Sequence, residues 1–204
     1  MSEERETMHD EPQRTVSRRT ALKSFGAVGA MAALPVLSLE AAEALATIQR
    51  TQAPPKLRVF TPAQYATVDA LAETIIPADD HSPGARAARV ADYVDLLLSE
   101  SDAAAKKTWA DGVAALDAES QRMFKAPFVK ITDAQRVELL TAISRNEADP
   151  KTALEQFFKT AKDATIRGYY TSEIGIHKEL QYKGNQLLAE FVGCTHPEHG
   201  YTAG

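Results

Sequence analysis

The chain has a single cysteine, Cys194, among its 204 residues. One thiol cannot close an internal disulfide, hold an iron–sulfur cluster or build a cysteine-based zinc knuckle. No pair of cysteines followed by histidine is present to attach a c-type haem. The expectation is therefore a chain that carries no cofactor of its own. Positive charge is not in excess either: 23 Lys and Arg stand against 28 Asp and Glu, a net charge of −5, with the two signs interspersed. A nucleic-acid partner, which needs a basic face to neutralise phosphates, is set aside on that ground. Long hydrophobic runs are lacking too. The most apolar stretch, 25–39, covers about 15 residues, against the roughly 20 of a membrane-spanning helix. Internal repeats, low-complexity tracts and β-branched runs of two-residue alternation are also missing. What remains is 44% hydrophobic and 25% charged, enough for one domain with a real core.

The N-terminus reads as an address rather than as fold. Arg18 and Arg19, flanked by Ser17 and Lys23, precede the Gly/Ala-rich apolar run, and small residues follow in Glu40-Ala41-Ala42-Glu43-Ala44-Leu45-Ala46. A long polar leader, a weakly hydrophobic run and Ala-x-Ala positions together resemble a twin-arginine export signal. One departure is Ala21, where such signals usually carry a large apolar residue. The organisation expected is an export signal over 1–46, a linker over 47–58 and one domain over 59–204. An uncleaved signal would serve as an anchor. The glycines at 26 and 29 lie inside the apolar run with no strand before them, so they are not a nucleotide loop.

The domain reads as helices. Thr61-Pro62-Ala63-Gln64 is a capping box with proline at the first helical position. Tyr65, Val68, Leu71, Ala72, Ile75 and Ile76 then share one face until Pro77. A second helix places Val90, Tyr93, Val94 and Leu97 inward, and a third, over 102–116, does so with Trp109, Val113 and Leu116. Thr132-Asp133-Ala134-Gln135 caps a helix with Val137, Leu140 and Ile143 inward. Asp149-Pro150 starts the next, with the stripe Leu154, Phe157, Phe158 and Ala161. Trp109, Phe157 and Phe158 are read as core. The fold class expected is all-α, a compact irregular bundle of about five or six helices with a loop-rich C-terminal segment.

Motifs with chemistry are few. Asp79, Asp80 and His81 share one loop, but two carboxylates without EF-hand spacing fit an Asx turn better than a calcium site. Cys194-Thr195-His196-Pro197-Glu198-His199 has zinc-ligand residue types, with His177 as a fourth, yet Pro197 and Gly200 make it extended and loose. No metal is expected on the chain. In an oxidising compartment Cys194 is either a buried thiol or a bridge to another chain. Glu173 and His177, four apart, would share a helix face as an acid–base pair, but Gly175 between them weakens the helix. They form the alternative reading, a metal-assisted hydrolase that also uses the tail histidines. A self-assembling helical protein is a further one. The mixture of tyrosines, charges and glycines over 168–186 fits a protein–protein surface better than an active site. The residues expected to meet a partner are Tyr169, Tyr170, Glu173, His177, Gln181, Tyr182, Lys183 and Asn185.

The run Tyr170-Thr171-Ser172-Glu173-Ile174-Gly175-Ile176-His177-Lys178-Glu179-Leu180-Gln181-Tyr182-Lys183-Gly184-Asn185, with Gly193-Cys194-Thr195-His196, resembles the C-terminal signature of the gluconate 2-dehydrogenase subunit 3 family. Glu73-Thr74-Ile75-Ile76-Pro77 and Pro83-Gly84-Ala85 resemble its N-terminal signature. The resemblance spans roughly 57–202. It implies a non-catalytic small subunit beside a large FAD-dependent oxidoreductase of the glucose-methanol-choline type, often with a multihaem cytochrome c subunit. Flavin would then sit on the large subunit and haem c on a third one. The small subunit would supply the signal read by the twin-arginine translocase, mature its partner and escort it folded to the periplasm. There the complex would lie at the outer face of the inner membrane. Under that reading Cys194 is a candidate covalent staple between subunits.

Overall fold

The computed structural model describes residues 37–51 and 54–184. They form six α-helices: α1 Leu39–Thr51, α2 Pro62–Ile75, α3 Val90–Ser99, α4 Ala103–Phe124, α5 Asp133–Ile143 and α6 Ala153–Tyr170. A short 3-10 turn, Phe128–Lys130, links α4 to α5, and a π turn, Gly175–Glu179, follows α6. The all-α reading holds, and no strand occurs among the described residues.

Local chemistry sets the helix starts. Thr61 accepts the Gln64 N–H at 3.2 Å while the Gln64 side chain accepts the Thr61 N–H at 2.9 Å, so the expected box is complete. The box at Thr132 and Gln135 closes in the same way. A third, unread in the sequence, pairs Thr152 with Glu155 and starts α6 at Ala153 rather than at Asp149-Pro150. Each such cap contributes about 1 kcal/mol.

Helix α3 is the centre, with every residue from Val90 to Leu98 buried. Helices α1, α2 and α6 pack around it, and α4 crosses α6. That crossing is close because Gly112 has no side chain: a Cβ there would lie 2.1 Å from the Phe157 ring. Trp109 sits between Phe60 and Phe157, with ring centroids 6.0 and 5.5 Å away, and Trp109, Phe157 and Phe158 are buried in the core as expected. Two carboxylates are buried on α3, and each is satisfied. Asp92 accepts from the Tyr65 hydroxyl at 2.8 Å and from Arg89 at 2.7 Å. Asp95 accepts the backbone N–H groups of Arg58, Val59 and Phe60.

Two readings need correction. Val137, expected inward, is 54% exposed. The face of α5 that packs carries Leu139, Leu140 and Ile143, and at 3.6 residues per turn Val137 points roughly 110° away from its centre. Second, the linker expected to begin at 47 is helical there, because α1 runs through that boundary to Thr51. Ala41 and Leu45, one turn apart on the same face, are only 5% and 8% exposed. The Ser38 hydroxyl accepts the Ala41 N–H at 3.2 Å, and both its hydroxyl and its N–H donate to Glu100. Gln49 donates to the Ala88 carbonyl at the other end.

These contacts make the fold acid-sensitive. The Ser38 hydroxyl and N–H hold the Glu100 carboxyl below the usual range, and the N–H groups of Ser82 and His81 do so for Asp79. The N–H of Lys151 heads the groups that lower Glu155. Depressed carboxylates contribute stability that is fully present above their unfolded pKa and lost as pH falls through the lower folded values. Melting temperature should therefore hold steady near neutrality and fall below about pH 4. In Glu100→Gln the Glu100 share of that slope should be missing. A melting profile flat down to pH 2 would contradict this.

Candidate functional site

The loop between α2 and α3 is a closed hydrogen-bonded unit. Asp79 accepts the N–H groups of His81 and Ser82, both at 2.8 Å, as the Asx-turn reading expects. Ala85 N–H donates to the Ile76 carbonyl at 2.9 Å, and Arg86 N–H to the Glu73 carboxylate at 2.7 Å. Gly84 is pressed between these groups: a Cβ would sit 2.6 Å from both the Ala78 nitrogen and a Glu73 oxygen. Glycine is required there by space.

This loop meets the end of α6. The Tyr169 hydroxyl donates to the Pro83 carbonyl at 2.8 Å and shares a 2.5 Å hydrogen bond with the buried Ser82 hydroxyl. Burial pushes the Tyr169 pKa up from the ordinary phenol range. Gly168 lets α6 lie against the Tyr93 ring, 2.7 Å from where a Cβ would stand. The N-terminal signature and the end of α6, just ahead of the C-terminal signature and more than eighty residues away in the sequence, thus form one packed unit. Tyr169 is the correction this brings. Expected on the partner-facing surface, it is 1% exposed and belongs to the core.

Beyond Tyr170 the chain folds back over the helix end. The Ser172 hydroxyl, buried, donates to the Tyr169 carbonyl at 2.6 Å and accepts the Gly175 N–H at 3.0 Å. Ile176 N–H donates to the Ser172 carbonyl, Leu180 N–H to that of Gly175, and Tyr182 N–H to that of Ile176. Gly175 rests directly on the Tyr169 carbonyl oxygen, 2.1 Å from a notional Cβ. Gln181 closes the turn in the left-handed region at φ 48°. Gly168 and Gly175 are thus points of close approach.

The turn presents Glu173, His177, Gln181, Tyr182 and Lys183 to solvent. Tyr170 is at the edge of exposure and packs edge-on against Tyr169 at 5.3 Å. Asn185, Cys194, Arg18 and Arg19 lie outside the described residues. The sequence reading missed Ile166 and Leu180. Both are exposed, and with Tyr170 and Tyr182 they make four of the six large exposed hydrophobics among the described residues. Glu173 and His177 do share a site. With Lys178 they face Gln49, Arg50, Ala87 and Ala88 across a groove of about 340 Å³. Arg50 lies 3.8 Å from Glu173, both well exposed, so screening leaves that pair worth little. Among the described residues no three His, Cys, Asp or Glu side chains converge as metal ligands, and no helix is long and apolar enough to cross a membrane.

A family model described as gluconate 2-dehydrogenase subunit 3 matches residues 62–186. The match runs from the first residue of α2 through the turn after α6, and so contains the N-terminal signature and the run Tyr170 to Asn185, while Gly193-Cys194-Thr195-His196 lies beyond it. No curated protein and no solved structure matches the chain.

Proposed function

The chain belongs to the gluconate 2-dehydrogenase subunit 3 family, and from that premise we propose that it is the non-catalytic small subunit of a flavin-dependent dehydrogenase. In this role it binds a large FAD-dependent subunit of the glucose-methanol-choline type, helps it mature and escorts it through the twin-arginine translocase. The complex then works in the periplasm, with electrons leaving through a cytochrome c subunit. Flavin and haem stay on those other chains, and the large subunit chooses the substrate.

The observation that carries this reading is the surface left by the folded-back turn. Ile166, Tyr170, Leu180 and Tyr182 are exposed within a short stretch whose neighbours Glu173, His177, Gln181 and Lys183 are polar. Aromatic and aliphatic groups rimmed by polar ones are what a protein interface uses. The turn beneath is held by buried hydrogen bonds, so the surface is in place before a partner arrives.

Changing both Arg18 and Arg19 to lysine should strand this chain and the large subunit together in the cytoplasm. Fractionation followed by assay of flavin dehydrogenase activity checks it. A large subunit that still reached the periplasm at its normal level would remove the escort role.

A further inference from the structure

We infer that helix α1 is a lasting element of the folded subunit, so that the exported chain is not cut at the small-residue positions inside it. This rests on the export reading above and adds to it where processing cannot fall.

The Ala-x-Ala positions, Ala42-Glu43-Ala44 and Ala44-Leu45-Ala46, are where a signal-processing protease would be expected to act. All of them lie within α1, Leu39–Thr51. Proteases nick exposed, open backbone, and cleavage of a folded segment follows how often that segment opens. Helix α1 is fastened along its length. Ser38 is bonded twice to Glu100 at its start, Ala41 and Leu45 are buried in its middle, and Gln49 reaches the Ala88 carbonyl near its end. A cut after Ala44 or Ala46 would separate Ser38 and Ala41 from Gln49 and Arg50. It would leave fewer than two helical turns, too little to persist as a helix. The groove that holds Glu173 and His177 would then lose the wall that Gln49 and Arg50 supply. This helix lies ahead of residues 62–186, so the family match does not account for it.

Two measurements test the inference. Intact mass and N-terminal sequencing of the chain recovered in its exported complex should find Leu39–Thr51 whole, with the N-terminus at or before Ser38. A mature chain beginning at Leu45 or Thr47 would overturn it. Separately, the purified full chain is treated with elastase, which cuts after small residues. Helix α1 should be spared in the wild type and cut about tenfold faster or more in Leu45→Glu, because that change raises the open population. Glu100→Ala releases the Ser38 fastening without placing a charge in the core, and it should show a smaller rise. Equal cutting of α1 in the wild type and in Glu100→Ala would also overturn the inference. Failure of the chain to leave the cytoplasm would count against the export reading alone, since the elastase result stands by itself.

Discussion

Asp95→Ala is expected to lower the stability of the subunit by about 3 kcal/mol or more. The Asp95 side chain is 2% exposed at the centre of α3. Its carboxylate accepts three backbone N–H groups, from Arg58 at 2.7 Å, Val59 at 3.0 Å and Phe60 at 2.8 Å. These donors belong to the segment that leads into α2, and no helix or sheet serves them. Removing the carboxylate leaves them without an acceptor, at about 1–3 kcal/mol for each one that stays buried. Water can reach the Arg58 and Val59 groups in part, so the lower end of the sum applies. A loss of that size is a large share of the roughly 5–15 kcal/mol that folded domains possess. Asp95→Asn keeps one acceptor oxygen and should cost about half as much. Urea denaturation of the three proteins measures it. A change within 1 kcal/mol for Asp95→Ala would mean that the α2 lead-in is held by something else.

Gly175→Ala should damage binding more than folding. The added Cβ would lie 2.1 Å from the Tyr169 carbonyl oxygen and 2.8 Å from the Tyr170 Cα, both backbone atoms that cannot rotate aside. The turn must therefore lift off the end of α6 and give up the bonds that tie it there, from the Gly175 N–H to the Ser172 hydroxyl and from the Ile176 N–H to the Ser172 carbonyl. The turn packs chiefly on the end of α6, outside the six helices themselves, so helical content should stay near that of the wild type. Stability should fall by about 1–3 kcal/mol, as overpacking usually costs. Affinity for the large subunit should drop at least about 30-fold, the scale of a lost interface hot spot. Gly184→Ala is the comparison: nothing lies within 4 Å of its Cβ position, and only its φ of +90° opposes the change. That variant should bind nearly as the wild type does. Circular dichroism and surface-immobilised binding separate the two outcomes. Normal affinity in Gly175→Ala would show that the turn is not the docking surface.

Much of the fold was legible because its signals are local. Capping boxes at Thr61 and Thr132, the Asx turn at Asp79 and the stripes of α2, α3 and α6 depend on residues within a few positions of one another. The failures involve distance along the chain. Tyr169 was placed on the surface by composition, because its partners Ser82 and Pro83 are too far away in sequence for any local pattern to reveal. A signal was available all the same. Continuing the α6 stripe from Ala161 by three- and four-residue steps reaches Thr165, Gly168 and Tyr169, all buried, and leaves Tyr170 on the outer side. Helix α1 was hidden for another reason. Its alanines satisfy two readings at once, a processing site and a helix with a narrow apolar face at Ala41 and Leu45. Only the presence of α3 beside it decides between them. The groove needed both ends of the chain, since Arg50 and Glu173 become neighbours only in the folded molecule.

The most direct test of the subunit role is purification of the tagged chain from its native cells, with absorbance spectra, mass spectrometry and metal analysis of what comes with it. The account predicts an equimolar flavoprotein with the spectrum of bound FAD, and no flavin left on this chain once the two are separated. A chain recovered alone, stable and loaded with metal would contradict it, and would return Glu173 and His177 to the role of an active site.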